Sequence, residues 1–372
     1  MTAAIALPGR PTTCPVPAPD WRSSYPPPQR RSVYAAAHVA ALGDGTIDWE
    51  STMAFREHLW AHGFGVAEAM DTAQRGMGLS AGQARELIAR SAARAAELGT
   101  AIASGAGTDQ LAAGRHPLPQ IIRAYADQIE LVQTSGSQVI VMASRALAAS
   151  ARSAADYLQV YGQLLTLADR PVLLHWLGEA FDPALRGYWG SSDFRTAAGT
   201  VLDLIERADG KVAGIKLSVL DADNEIWLRR RLPAEVRMYT GDDFNYSDLI
   251  KGDARGHSDA LLGAFAAITG PAAAALQALD AGDLAGYEAA MGPTVALSRV
   301  IFEAPTVHYK AGIAFVAWLN GLQPSFSMLD RLQQSRSADH LIRVFERAAA
   351  ARALLDPELA VTRMHEYLQA ST

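Results

Sequence analysis

Residues 212–218 read Val212-Ala213-Gly214-Ile215-Lys216-Leu217-Ser218, an apolar, β-prone run with a single charge near its end. Seven similar runs lie elsewhere between residue 32 and residue 270, and stretches of helical period separate them. Short strands that alternate with helices are typical of βα units around a parallel sheet. Eight such units close a barrel, so the pattern predicts an α/β fold of the (β/α)₈ (TIM barrel) type. A doubly wound open sheet is the main competing fold.

The predicted strands and helices have approximate bounds. The strands are expected near Val33–Val39, Gly65–Met70, Thr100–Ser104, Gln138–Met142, Val172–Trp176, Val212–Leu217, Val236–Thr240 and Asp259–Gly263. Helical patterns cover residues 48–62, 80–98, 118–134 and 154–168, and Ser80 is the expected N-cap of the second. The longer loops after the fifth and seventh strands would then lie on the C-terminal face of the barrel, where such enzymes keep their active sites.

Two further segments flank the predicted barrel domain of residues 32–270. Residues 1–31 hold eight of the eighteen prolines and predict a Pro-rich, extended N-terminal arm. Residues 271–372 are helical in pattern and rich in Ala, Leu and Arg, which predicts a C-terminal helical extension.

Composition excludes several classes of protein. Hydrophobic residues make up 49% of the chain and charged residues 19%, which fits a globular protein that folds by itself. The net charge is −6 and the longest basic run is Arg229-Arg230-Arg231, so nucleic acid is not an expected partner. No apolar segment is long enough for a membrane span, and the only cysteine, Cys14, can form no internal disulfide. A cytoplasmic protein without a membrane partner is expected.

Lysine is rare in this chain, which makes Lys216 informative. The 33 basic residues include only four lysines, Lys211, Lys216, Lys251 and Lys310. Strand alternation places Gly214, Lys216 and Ser218 on one face. If that face lines the barrel, burial lowers the pKa of the amine and supplies the neutral nucleophile that carbonyl addition needs. The alternative is a structural lysine that is paired with a barrel carboxylate such as Glu68.

Other short motifs accompany Gly214-Ile215-Lys216 in a consistent order. They are Asp44-Gly45-Thr46-Ile47-Asp48, Asp71-Thr72 with Leu79-Ser80, Pro171-Val172-Leu173-Leu174, Thr240-Gly241-Asp242-Asp243, Gly282-Asp283 and Tyr309-Lys310-Ala311. This set resembles the dihydrodipicolinate synthase and N-acetylneuraminate lyase superfamily. The resemblance implies a class I aldolase-type lyase in which Lys216 forms a Schiff base with a small carbonyl substrate. It also implies that no cofactor is needed and that the chain forms a homo-oligomer.

The chain departs from the superfamily pattern at three strand ends, which indicates a divergent bacterial branch. Met142-Ala143-Ser144-Arg145 replaces the Tyr-Tyr-Asn signature whose second tyrosine relays protons. The hydroxyl pair that holds a 2-oxo acid carboxylate is reduced to Thr72, between Asp71 and Ala73, and His175-Trp176 stands in place of a Tyr-Asn pair. Because Asp71 would repel a carboxylate, pyruvate is not the expected substrate. A keto sugar or a polyol derivative is expected instead.

Candidate site residues follow from these positions. His175, at the end of the fifth strand, is the candidate general acid/base because histidine ordinarily titrates near neutrality. The alternative is a histidine that only makes hydrogen bonds within the barrel. The candidate substrate-binding residues are Asp71, Thr72, Arg145, Asp242 and Asp243. Arg145 could instead pair with Asp71, and one of the two adjacent aspartates could cap the following helix.

Two alternative functions use the same barrel. The first is a metal-dependent sugar isomerase or aldolase, with oxygen ligands and one imidazole suited to a divalent metal. Its candidate ligands are Glu68, Asp71, Asp109, His175 and Asp242. The second is a barrel that has lost catalysis and serves as a binding protein. The preferred hypothesis, a Schiff-base lyase, assigns no metal. The sequence also has no Gly-rich loop between a strand and a helix of the kind that binds nucleotides.

Overall fold

A closed barrel of eight strands is the centre of the fold. The computed structural model describes residues 3–370. The barrel strands, in chain order, are β3 (Val33–Ala36), β4 (Gly65–Glu68), β5 (Ile102–Ala106), β6 (Gln138–Val141), β7 (Val172–Leu177), β8 (Val212–Ser218), β9 (Arg237–Thr240) and β10 (Asp259–Leu262). Their order around the barrel follows the chain, and β10 closes on β3. The predicted (β/α)₈ barrel is confirmed, and each predicted strand overlaps an observed one.

Parallel pairing aligns the strands that carry the candidate site. His175 on β7 lies beside Lys216 on β8, which in turn lies beside Tyr239 on β9. The β7–β8 pairing is irregular between Val172 and Leu173 and regular from there to the ends of both strands. Residues paired in register project to the same face of a sheet, so these three side chains form one row across the barrel wall.

Helices follow the strands. They are α1 (Trp49–Ala61), α2 (Ala81–Leu98), α3 (Leu118–Thr134), α4 (Arg145–Ser150), α5 (Ala154–Leu167), α6 (Phe194–Arg207), α7 (Ala222–Arg229) and α8 (Tyr246–Lys251). Ser80 caps α2 as predicted, because its hydroxyl accepts from the backbone of Gln83 and the Gln83 side chain returns the contact. Gly99 ends that helix in the left-handed region at φ 66°, which glycine adopts without strain.

The C-terminal segment is helical, as predicted. It comprises α9 (Thr269–Asp280), α10 (Leu284–Ile301), α11 (Tyr309–Leu319), α12 (Ala338–Ala350) and α13 (Pro357–Ala370). Every residue of α11 is buried, which its almost wholly apolar sequence allows because other elements cover it on all sides. Across residues 3–370, none of the helices combines the length and apolar character needed to span a bilayer.

The N-terminal arm is ordered against its own chain. Two short strands, β1 (Ala3–Ile5) and β2 (Cys14–Val16), pair antiparallel, a hairpin that the proline content did not predict. Further along, the indole of Trp21 donates to the carbonyl of Arg352 at 2.8 Å. The backbone amides of Gln29 and Arg30 donate to the carboxylate of Asp280 at 2.7 and 2.9 Å. These contacts attach the arm to the C-terminal helices.

Two compact units make up the chain. One contains the residues up to Val66, Thr72–Gly78 and the residues from Leu262 onward. The other contains Ala67–Asp71 and Leu79–Leu261, and therefore holds β5 to β9 entire. The row formed by His175, Lys216 and Tyr239 lies within this second unit.

Candidate functional site

Lys216 faces the interior of the barrel. The ring of Trp176, next to His175 on β7, stacks on Phe194 at the start of α6, with 5.0 Å between the ring centroids. Trp176 therefore points outward to the helices, and strand alternation turns His175 inward. Because Lys216 is in register with His175, it points inward as well. Its position near the carboxyl end of β8 is the end at which barrel enzymes hold their reactive groups.

The environment of Lys216 favours the neutral amine. Only 7% of the residue is exposed, and burial lowers the pKa of the amine below its ordinary value. The carboxylates of Asp243 and Asp71 act in the opposite direction, because a nearby negative charge stabilises the ammonium. Desolvation is the larger effect, so the amine loses its proton more readily than a solvated lysine does.

Two glycines bring neighbouring strand ends close to β8. The amide of Gly178 donates to the carbonyl of Ser218 at 2.8 Å, and the amide of Gly241 donates to the carbonyl of Leu217 at 2.9 Å. A Cβ atom on Gly241 would lie 2.9 Å from Cε of Lys216 and would overlap Oγ of Ser218. The absence of a side chain at residue 241 therefore makes room for the lysine and the serine together.

His175 is neutral at neutral pH and contacts Ser218. Its Nε2 atom lies 3.4 Å from Oγ of Ser218. Complete burial, and then the charge of Lys216, lower the pKa of the imidazole well below its ordinary value. The expectation that His175 titrates near neutrality is therefore wrong, because burial away from solvent disfavours the charged imidazole, and the lysine next to it adds to this effect. A part for His175 in proton transfer stays a prediction.

Asp242 and Asp243 have different environments. Oδ1 of Asp242 accepts from the backbone amides of Phe244 and Asn245 at 2.9 and 3.0 Å, and its other oxygen accepts from the side chain of Asn245. Asp242 therefore organises the turn into α8, and burial raises its pKa. Asp243 is buried and acts electrostatically on Lys216. Of the two, Asp243 is the one whose charge acts on the candidate nucleophile.

One protein family accounts for almost the whole chain. A family model described as "Protein of unknown function (DUF993)" matches residues 11–372. The chain belongs to the DUF993 family. No curated protein matches its sequence.

Solved structures show which fold this DUF993 chain has. It is similar to dihydrodipicolinate synthase from Aquifex aeolicus at 13% identity, with a TM-score of 0.68 over 88% of this chain and 99% of that one. The synthase from Bacillus anthracis gives 16% identity and a TM-score of 0.65, over 87% and 98%. A chloride-inhibited synthase from Acinetobacter baumannii, complexed with pyruvate, gives 15% and 0.65, over 87% and 99%. The resemblance drawn from the motifs is confirmed as a shared fold.

Asp71 and Thr72, after β4, have separate partners in the DUF993 chain. The charge of Asp71 acts on Lys216 within the second unit. In the first unit, the hydroxyl of Thr72 shares a hydrogen bond of 2.8 Å with the hydroxyl of Tyr309. The ring of Tyr309 stacks on Phe302 with 4.4 Å between centroids. The hydroxyl that would bind a substrate carboxylate by resemblance is thus already engaged by a tyrosine.

Arg145 forms its ion pair with Asp182 and not with Asp71. It begins α4 and forms an ion pair with Asp182, in the loop after β7. The alternative pairing with Asp71 is therefore wrong: the loop after β7 brings Asp182 to Arg145. Half of the Arg145 side chain is exposed, so its contact with a substrate stays a prediction.

The alternative metal ligands do not form a cluster. Within the described residues, 3–370, no three His, Cys, Asp or Glu side chains lie close enough to share a metal ion. Glu68 accepts from the hydroxyl of Ser91 on α2 at 2.6 Å and from the amide of Ala69 at 2.7 Å. Glu68 is therefore not the carboxylate partner of Lys216. The carboxylates that act on Lys216 are those of Asp243 and Asp71.

Three residues near the candidate nucleophile were not chosen from the sequence. Ser218 contacts His175, Gly241 makes room for Lys216, and Tyr239 lies beside Lys216 in register. The ring of Tyr239 packs over Gly214, where a Cβ atom would lie 2.8 Å from Cε2. Only Ser218 carries a signal in the sequence, because it is two residues from Lys216 on the same strand face.

Proposed function

We propose that this protein is a class I aldolase-type lyase that binds its carbonyl substrate as an iminium on Lys216. The observation that carries the proposal is a buried lysine at the carboxyl end of β8, directed into the barrel, with a pKa lowered by burial. The fold that it shares with dihydrodipicolinate synthases supports the same reading.

The chemistry needs only the residues of the chain. The neutral amine of Lys216 adds to a ketone or an aldehyde, and loss of water leaves a positively charged iminium. The iminium withdraws electrons from the adjacent carbon, so a bond to that carbon can break or form without a cofactor. The lowered pKa matters because a protonated amine has no electron pair to add.

We further propose a neutral, polyhydroxylated carbonyl substrate such as a keto sugar or a polyol derivative. The carboxylates of Asp71 and Asp243 both act on Lys216, so the site already holds two negative charges around one amine. A substrate carboxylate would add a third in a desolvated site, which costs free energy unless it is paired. Carboxylates accept hydrogen bonds from sugar hydroxyls instead.

Borohydride trapping tests the proposal. Reduction of an iminium converts it to a stable secondary amine, which mass spectrometry can locate among only four lysines. We expect hydroxyacetone or dihydroxyacetone to label Lys216 and pyruvate to label it poorly. Lys310→Arg is the matched control, because Lys310 is also buried but donates to the carbonyl of Val307 at 3.2 Å. Labelling should survive in that variant.

The alternatives predict different results. Absence of an adduct on Lys216 with every carbonyl compound tried would end the Schiff-base proposal. Activity that is lost on chelation and restored by added metal would favour the metal-dependent isomerase or aldolase. Tight binding of a sugar without turnover or adduct would favour a binding barrel. A homo-oligomer is part of the proposal and is tested by sedimentation.

A further inference from the structure

We propose that the hydroxyl of Ser218 moves the proton from nitrogen to oxygen when the amine of Lys216 adds to the substrate carbonyl, and that His175 positions this hydroxyl. The inference rests on the proposed Schiff-base function and adds a residue to it. Its basis is the meeting of the Lys216 side chain, the Ser218 hydroxyl and the His175 ring at the carboxyl ends of β7, β8 and β9.

The Ser218 hydroxyl and the Lys216 side chain both lie next to the backbone of Gly241. Both project from one face of β8, and a single added atom on Gly241 would overlap Oγ of Ser218 while lying 2.9 Å from Cε of Lys216. The carbonyl of Ser218 accepts from the amide of Gly178, which joins the end of β8 to the residue that follows β7. A carbonyl group bonded to Nζ would therefore project from the same face of β8 as the Ser218 hydroxyl.

His175 is arranged to hold that hydroxyl. The ring is buried, and its Nε2 atom is 3.4 Å from Oγ of Ser218. Its Nδ1 atom has no hydrogen-bond partner within residues 3–370, so the polar contact of the ring with the site is made through Nε2. A contact of this kind restricts the rotation of the serine side chain and directs its hydroxyl along the strand face. His175 is accordingly a positioning residue for Ser218.

The proton transfer balances without a co-reactant. Addition of the neutral amine forms the bond between Nζ and the carbonyl carbon, and the C=O electron pair moves to oxygen. The product carries a positive charge on nitrogen and a negative charge on oxygen. Oγ of Ser218 takes one proton from the nitrogen while it gives its own proton to the oxygen. The result is a neutral carbinolamine with Ser218 restored, and His175 keeps its charge state throughout.

The test measures the rate of iminium formation with hydroxyacetone as the probe and cyanoborohydride as the trap. Ser218→Ala should slow labelling of Lys216 by about 10²-fold, the usual contribution of a positioned proton-transfer group. The concentration of hydroxyacetone that gives half-maximal labelling and the final extent of labelling should be unchanged. Ser218→Thr, which keeps the hydroxyl, should label within about tenfold of the wild type. Ser153→Ala is the control, since Ser153 is exposed and makes no cap hydrogen bond.

A double-mutant cycle separates a proton-transfer role from a structural one. If His175 acts through Ser218, His175→Phe should slow labelling in the wild type but cause no further loss in Ser218→Ala. Additive losses, or a labelling rate in Ser218→Ala equal to that of the wild type, would overturn the inference and leave the Schiff-base proposal standing. Should Ser218→Ala not fold, equal labelling rates of the wild type in H₂O and D₂O would overturn it. No labelling of Lys216 in the wild type would overturn both proposals.

Discussion

Lys216 and Glu225 are two buried ionisable residues close together in the sequence, and burial shifts the pKa of each toward its neutral form. Lys216 lies on the inner face of β8. Glu225, on α7, accepts from the hydroxyl of Ser258 at 2.7 Å, and the nearby Thr240 side chain favours its charged form. Thr240 alternates with Tyr239 on β9, so it faces the helices while Tyr239 shares the inner face with Lys216.

The comparison shows that burial alone does not identify a catalytic group. Burial raises the pKa of Glu225 to about 8, a large shift, yet this carboxyl lies outside the barrel wall in the layer between strand and helix. The pKa shift of Lys216 occurs at the carboxyl end of the barrel strands, the end at which barrel enzymes bind their substrates, beside Ser218 and His175. The face of the strand, and not the size of the shift, distinguishes the two.

The largest expected effect separates the two residues by activity. Lys216→Arg and Lys216→Ala should each lower the rate of the proposed reaction by about 10³-fold or more, because neither retains an amine that can be deprotonated. Glu225→Gln should keep activity within a few-fold of the wild type. Turnover is measured on any substrate that labels Lys216, with folding checked by circular dichroism. Activity near that of the wild type in Lys216→Arg would show that the lysine only balances buried carboxylates.

A smaller effect is expected when the lysine is retained but displaced. Gly241→Ala adds a methyl group 2.9 Å from Cε of Lys216 and in overlap with Ser218. The crowding should cost about 1–3 kcal/mol of unfolding free energy and slow labelling of Lys216 by about 10²-fold. Gly162→Ala is the matched control, because an atom added there has no neighbour within 4 Å and the residue lies in α5. Equal labelling rates in both variants would contradict the proposed crowding.

Glu225 should influence stability through pH. Its pKa is raised from the ordinary 4.5 to about 8 in the folded protein. Between these values the unfolded chain loses a proton that the folded chain retains, so the stabilisation is present below 4.5 and is lost as pH rises through 8. The loss is about 1.4 kcal/mol per pH unit. Urea unfolding at several pH values should show Glu225→Gln gaining stability relative to the wild type across this range. A pH-independent difference would refute the shift.

The smallest effect is expected at Arg145. Its ion pair with Asp182 is half exposed on the arginine side. Exposed pairs contribute up to about 1 kcal/mol, so Arg145→Gln should change the unfolding free energy by no more than that. We expect the rate at which hydroxyacetone labels Lys216 to stay within about twofold of the wild type, because Arg145 pairs with Asp182 and not with a residue of the Lys216 site. If half-maximal labelling instead required a much higher hydroxyacetone concentration, Arg145 would belong to the substrate site.

Local patterns account for the part of the fold that could be predicted. Each barrel strand was recognised because its apolar, β-prone run stands between helical periods, and Ser80 was recognised as a cap because its hydroxyl serves the next turn. The β1–β2 hairpin was missed because proline dominates the composition of the arm. Its two strands are separated by a loop, and no repeating pattern in the sequence indicates that they pair.

The sequence by itself determined the barrel and the choice of Lys216, since both depend on alternation within single segments and on the scarcity of lysine. Only the tertiary structure decided the surroundings of Lys216. Three features depend on the register between strands: the contact of Ser218 with His175, the space at Gly241, and the different environments of Asp242 and Asp243. Register arises from pairing across the barrel, so residues far apart in the chain become neighbours only once the barrel closes.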